Sequence, residues 1–313
     1  MTSRQKAVLA LALVLVLWST PTVFVKWLLP HYDPFTQNFL RYASSALFLL
    51  PWLCWELFRR RTRLGKRELV RLFWPSIPNV ISQTVWPLAL LWLYPAFVAL
   101  FNKSSIVFSC LLALVFFPDE RWLFRSRRFL IGLALSVVGT LGLSVLRPDL
   151  DKGKMNLAVL LVLFGAVTWA AYSVTVKKFA ADIGSRLSFA VISLYTTAWL
   201  LAPAILWGDL GLLLRSPWNV NVVLVLSGVL CIGISHPLYF LAIKELGVSV
   251  CATMLLCTPI GSLLLSHWIF GEMLSVGQAL FGLVLLAGGA LTLLVPGKPP
   301  PLNVARAAEP VEG

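Results

Sequence analysis

Apolar runs long enough to cross a bilayer follow one another along nearly the whole chain, broken only by short clusters of Lys and Arg. A hydrocarbon core of about 30 Å takes roughly 20 helical residues to cross. Ten such stretches are expected, near residues 7–28, 35–57, 74–93, 96–117, 129–146, 156–176, 188–207, 221–243, 247–270 and 276–295. Lipid offers the backbone no hydrogen bonds, so segments of this kind cross as helices. The fold class expected is therefore an all-α membrane protein. Several loops are very short, as at Tyr94-Pro95, and hydropathy alone would also admit nine or eleven spans. Composition excludes an ordinary soluble domain: 59% of the 313 residues are apolar and 12% charged, where soluble domains carry about 25% charge. A net charge of +13 points to nucleic acid only if the bases share an exposed face. Here they lie between apolar runs, so the partner expected is the lipid bilayer and not a nucleic acid.

Charge asymmetry tests the count, because cytoplasmic loops retain Lys and Arg. With the N-terminus inside and ten spans, most of the 26 bases collect on one side: Arg4 and Lys6, the run from Arg59 to Arg71, the run from Arg121 to Arg128, then Lys177, Lys178, Arg186, Lys244, Lys298 and Arg306. Lys26, Arg147, Lys152, Lys154 and Arg215 fall on the other side, and Arg41 and Lys103 fall inside spans. An odd span count would blunt this bias. Both termini are expected in the cytoplasm of a plasma membrane of the bacterial inner-membrane type.

The opening segment behind Arg4 and Lys6 could be taken for a signal peptide. Its apolar character continues through Val23, Val25 and Trp27 with no small-residue cleavage site, so it reads as an uncleaved first span. Residues 297–313 are Pro-rich and polar without apolar period, as in a disordered cytoplasmic tail. Cys54, Cys110, Cys231, Cys251 and Cys257 lie in apolar spans without metal-ligand spacing and read as packing residues. No metal and no cofactor are expected.

The chain repeats itself. Ile81-Ser82-Gln83 through Pro87-Leu88-Ala89 lines up with Ile234-Ser235-His236 through Phe240-Leu241-Ala242, and Gly132-Leu133-x-Leu135 with Gly139 lines up with Gly282-Leu283-x-Leu285 with Gly289. Thr22-Val23 with Lys26 matches Ser173-Val174 with Lys177, and Phe117-Pro118-Asp119-Glu120 answers Phe270-Gly271-Glu272. The halves expected are 1–147 and 155–296, each with five spans. An odd number makes the second copy enter the membrane from the opposite side, the plan of many secondary transporters, whose substrate site lies near the midplane where the repeats meet.

These features resemble the EamA-type transporters of the drug/metabolite transporter superfamily. The resemblance rests on the five-plus-five arrangement, the acidic turns at Phe117-Pro118-Asp119-Glu120 and Phe270-Gly271-Glu272, the glycine-bearing spans after each turn, Leu17-Trp18-Ser19, and the region of Pro259. It runs from about residue 7 to 295. It implies ten helices around a central cavity and alternating access, usually in the export of amino acids or other small metabolites.

Ionisable residues at membrane depth mark functional sites by default. Lys103 lies within Asn102-Lys103-Ser104-Ser105, roughly 10 Å into its span at 1.5 Å per residue, and is expected to face the cavity, against the reading of a lysine snorkelling to the interface. For Arg41, with Gln37, Asn38 and Tyr42 beside it, snorkelling and binding fit equally. Lys26, Lys177 and Lys178 sit at span ends and read as interfacial anchors. His236 occupies the place of Gln83 in the first repeat. Packing and a cavity position are both open to it, and its imidazole suits proton exchange near neutral pH. Trp18, Trp86 and Tyr239 lie well inside spans, where aromatic walls for an organic substrate or core packing would place them. The candidate substrate-binding set is thus Lys103, Asn102, Ser104, Arg41, Gln83, His236, Trp18, Trp86 and Tyr239.

No acid falls in the middle of a span; Glu56, Glu245 and Glu272 lie near ends. Antiporters of organic cations use an intramembrane carboxylate, which the first span replaces with Trp18, Ser19 and Thr20. Bases without acids favour an anionic or zwitterionic substrate. Prolines within spans, among them Pro51, Pro78, Pro203, Pro237 and Pro259, are hinges or ordinary kinks. Glycines such as Gly132, Gly139, Gly142, Gly282, Gly288 and Gly289 allow close helix packing and leave room for a homodimer. The function expected is a secondary transporter, exporting a small polar metabolite. A flippase for a lipid-linked molecule is the alternative within transport. An intramembrane enzyme is the alternative outside it, against which the spans hold no metal cluster, Ser-His pairing or Asp-rich motif.

Overall fold

The computed structural model of the protein describes residues 2–58, 64–145, 152–273 and 275–293. The expected tail 297–313, the bases at Arg59, Arg60, Arg61 and Arg63, and Arg147 lie outside the described residues. Every regular element among the described residues is helical. The first half runs α1 (Ser3–Trp18), α2 (Pro21–Leu28), α3 (Pro34–Phe58), α4 (Lys66–Ala89), α5 (Pro95–Phe101), α6 (Ser105–Phe116) and α7 (Arg127–Val145). The second runs α8 (Lys152–Ala180), α9 (Ser185–Trp207), α10 (Leu212–Arg215), α11 (Trp218–Gly228), α12 (Ser235–Leu246), α13 (Val248–Met254), α14 (Thr258–Phe270) and α15 (Val276–Leu293).

Six segments are long and apolar enough to cross a membrane by length and composition: Ser3–Leu28, Pro95–Phe116, Leu157–Ala180, Ser185–Trp207, Trp218–Leu246 and Val248–Phe270. That is fewer than the ten stretches read from the sequence. α3 and α4 lie outside these six; they bury the polar side chains Gln37, Asn38, Arg41 and Ser45 on α3 and Ser76, Asn79, Ser82 and Gln83 on α4. α7 and α15 are shorter, at 19 and 18 residues. Apolar side chains cover the outside instead: Leu47, Phe58, Leu206 and Trp268 are 67–88% exposed. A surface of this kind needs lipid and not water against it.

Local chemistry sets the element ends. Thr2 and Gln5 form a capping box at the start of α1, satisfying donors the first turn leaves free. Asp33 Oδ1 accepts from the backbone N–H groups of Phe35 (3.0 Å) and Thr36 (2.8 Å) to start α3. Pro21, Pro95 and Pro259 each sit in the first turn of a helix, where the missing N–H is no loss. Pro259 is thus a helix starter, whereas Pro51, Pro78 and Pro203 lie within helices. Gly247, at φ 90°, makes the one-residue turn from α12 to α13.

The helix pairs follow the repeat. α1 packs on α12 as α4 packs on α8, while α3 meets α9 and α7 meets α15, each against its own counterpart. The α7–α15 contact is close enough to need glycine: a Cβ on Gly139 would lie 2.7 Å from the Leu285 nitrogen, and one on Gly288 would lie 2.6 Å from the Gly132 oxygen. Two short 3-10 segments, Asn102–Ser104 between α5 and α6 and Leu255–Cys257 between α13 and α14, stand at the same separation along the chain as Gln83 and His236. A π-helical stretch, Val229–Ile234, joins α11 to α12 and has no counterpart in α4. All three irregular segments border the same interior space.

Candidate functional site

That space is a cavity of about 880 Å³, its mouth included, between the two halves. The first half contributes Trp18, Thr22, Arg41, Gln83, Trp86, Asn102, Lys103, Ser105 and Ser109; the second contributes Trp169, Cys231, Ile232, His236, Leu255 and Thr258. Seven of the nine residues singled out from the sequence meet here. Ser104 and Tyr239 do not line it. Ser104 turns aside within the 3-10 segment, and Tyr239 lies one turn below His236, with its hydroxyl 3.0 Å from Ser173 Oγ.

The irregular backbone explains the lining. A regular helix through residues 95–116 would spread Asn102, Lys103 and Ser105 around its circumference. The 3-10 turn winds tighter and leaves all three on the cavity. On the other side, Trp18 Nε1 donates to the Cys231 carbonyl at 3.1 Å and to Ser235 Oγ at 2.6 Å. Its partners lie in and just after the π-helical stretch, so this indole ties the first half to the distorted part of the second. Cys231, read from the sequence as a packing residue, lines the cavity.

Arg41 is 2% exposed; its Nε donates to Ser227 Oγ at 3.0 Å. The backbone there is pinned by Gly228, where a Cβ would lie 2.3 Å from the Arg41 carbonyl oxygen. Of its two open readings, snorkelling is not the one this geometry suits. Lys103 has no carboxylate partner among the described residues. Gln83 Oε1 accepts from Trp86 Nε1 at 3.0 Å. An indole nitrogen only donates, which orients the amide and leaves Gln83 Nε2 as the outward donor. His236 Nδ1 lies 3.2 Å from the Ile232 carbonyl. A carbonyl only accepts, so the ring proton is assigned to Nδ1, and Nε2 is a buried acceptor without a partner. Thr22 Oγ1 and Asn102 Oδ1 are also buried without partners. Buried polar atoms are paired as a rule, and three orphans around one cavity mark a place for water or a polar ligand.

Aromatic rings close the space. Trp18 meets Trp169 at 5.2 Å and His236 at 5.2 Å, both edge to face, and Phe189 stacks on His236 at 4.6 Å. Trp169 was not singled out from the sequence. The match of Thr22 with Ser173 puts it in register with Trp18, which is the signal that would have found it. Lys26 reaches inward from its span end: its Nζ donates to the Leu90 carbonyl at 2.7 Å and the Leu93 carbonyl at 3.5 Å, capping the end of α4 as a cation caps a helix C-terminus.

Residues 5–145 and 156–294 each match the EamA-like transporter family. The chain belongs to the EamA-like transporter family. It is a multi-pass membrane transporter of the drug/metabolite transporter superfamily. It is 24% identical over 291 residues to an uncharacterized transporter of Archaeoglobus fulgidus, covering 92% of this chain and 97% of that one. A protein of known crystal structure shares 20% identity with it, covers 98% of this EamA-like chain and 100% of its own, and superposes with a TM-score of 0.70. At that identity the likeness speaks to the fold.

Proposed function

We propose that this EamA-like protein is a secondary transporter that exports a small polar metabolite, anionic or zwitterionic such as an amino acid, by alternating access of the central cavity. The observation that carries this reading is the lining: Arg41 and Lys103 face a space shared by both halves, and among the described residues no Asp or Glu lines it. Buried cations without acidic partners attract negative groups. The broken segments at Asn102–Ser104 and Leu255–Cys257 support it, because transporters place irregular backbone where it borders a site.

The same proposal includes ten transmembrane helices as two inverted five-helix repeats, 1–147 and 155–296, with both termini cytoplasmic in a bacterial inner membrane. Most Lys and Arg then fall inside. In this reading Lys103, Asn102, Gln83 and Arg41 contact the polar part of the substrate and Trp18 and Trp86 its carbon skeleton. Ser104 and Tyr239 join them only after the helices move. His236 is the candidate for proton coupling, since its Nε2 is an unpartnered acceptor.

The test is solute flux in proteoliposomes over a panel of metabolites, with and without a pH gradient, beside a fluorescent-lipid scrambling control. Flux of an anion or amino acid without scrambling supports the carrier. Scrambling without solute flux replaces it with a flippase. His236→Gln retaining full proton dependence removes the coupling role.

A further inference from the structure

We propose that the cavity's substrate is a small organic dianion, a dicarboxylate or a phosphate monoester, and not a zwitterion. This rests on the carrier reading and narrows it by counting charge and hydrogen bonds around one space.

Arg41 is cationic in any protein setting, because its guanidinium does not give up its proton. Its recorded Nε partner, Ser227, is neutral. Lys103 stands on the separate 3-10 segment of the same cavity, again without a carboxylate among the described residues. Two cations lining one interior space are compensated in full only by two negative charges brought to them. A monoanion leaves one base uncompensated. A zwitterion leaves the sum unchanged and places an ammonium group beside both bases. A dianion closes the count.

The hydrogen-bond inventory points the same way. The Trp18 and Trp86 N–H groups are spent within the protein, so these walls present ring faces and edges. The donors lining the space are the Lys103 ammonium, the Arg41 guanidinium, which also meets the neutral Cys231 thiol, and the Gln83 amide, held outward by Trp86. These are donors suited to carboxylate or phosphate oxygens. The unpartnered acceptors, Asn102 Oδ1 and His236 Nε2, are neutral. They can take a hydroxyl proton but cannot offset the cations for an ammonium group.

The experiment is thermal stabilisation of the purified full-length protein by matched probes: butyrate, succinate, 4-aminobutyrate and glycerol 3-phosphate, with glycerol as the neutral control. Succinate or glycerol 3-phosphate is expected to half-saturate at a concentration about tenfold lower than butyrate or 4-aminobutyrate, the scale of one extra charge-assisted contact. Whichever dianion binds tells carboxylate from phosphate. Lys103→Gln is expected to abolish that preference, leaving the dianion no better than butyrate. 4-Aminobutyrate binding as tightly as succinate, or no probe binding at all, overturns the inference. The wild-type comparison decides the matter even if the variant does not fold. Flux separates the two readings: a dianion that binds but is not moved across proteoliposomes leaves this assignment standing and defeats the carrier, whereas transported 4-aminobutyrate does the reverse.

Discussion

Trp18 and Trp169 meet edge to face at 5.2 Å and 77°, one from each half, at matching places in the internal repeat. Their contact marks where the two copies meet at the cavity, and Trp18 adds hydrogen bonds to Cys231 and Ser235 across the same boundary. Trp18→Phe keeps most of the ring and removes the donor. It is expected to lower stability by about 1 kcal/mol, the ordinary worth of one buried hydrogen bond, whereas Trp18→Ala should lose about 3–5 kcal/mol. Thermal unfolding of the two variants in one detergent checks the order. No loss in Trp18→Phe would show that the N–H contributes nothing.

The α7–α15 contact makes an unequal pair of glycines. A methyl on Gly139 would meet the Leu285 and Phe281 backbones within 3 Å, while one on Gly282 would meet nothing within 4 Å. Gly139→Ala is expected to destabilise by about 1–3 kcal/mol, as overpacking does. Gly282→Ala should be neutral or slightly stabilising, since alanine favours the helix. Melting temperatures of the two variants give the comparison directly.

These glycines also show what could be read from the chain. Gly132, Gly139 and Gly282 stand out through repeat matching, but only the packed helices distinguish a glycine under backbone from one facing open space. The apolar runs were legible because lipid imposes length and helicity on them. Lys103, Arg41, Gln83 and His236 were legible as polar groups at depth, and they meet at one cavity. The 3-10 and π-helical breaks were legible only in part: Pro259 and Pro237 cannot donate to the Leu255 and Gly233 carbonyls four residues back, which lie inside two of the breaks. The break at Asn102–Ser104 has no proline behind it and gives no such signal. Around these breaks Ser104, next to Lys103 in sequence, falls off the cavity, and Tyr239, three residues beyond His236, falls behind it.

Arg71 and Asp182 join the start of α4 to the loop after α8, with Arg71 Nη1 donating to Asp182 Oδ2 at 2.9 Å. Hydrogen bonding to Arg71 holds the Asp182 carboxyl below its usual range. A depressed folded value stabilises the fold above the unfolded value of about 4. That stability is lost as pH falls through the folded value. The side chains are 26% and 65% exposed, so solvent screening keeps the effect within about 1 kcal/mol. Asp182→Asn should lower the melting temperature slightly at pH 7 and match the wild type at the acid end. A variant difference independent of pH would contradict the pairing.

Gly247 turns α12 into α13 at φ 90°, ψ 162°, a conformation that only glycine adopts easily. Gly247→Ala is expected to destabilise by about 1–3 kcal/mol, and Gly184→Ala, with nothing near its added methyl and ordinary φ, should not. Proteolysis at the α12–α13 turn, compared between the two variants, gives the readout.

The central claim is that the basic cavity between the halves carries the transported solute. The most direct measurement is counterflow of a labelled anion in proteoliposomes holding equal amounts of wild-type and Lys103→Gln protein. Saturable wild-type flux that falls at least about tenfold in the variant, the loss expected for one buried charge-assisted contact, is the predicted result. Undiminished flux in Lys103→Gln would contradict it.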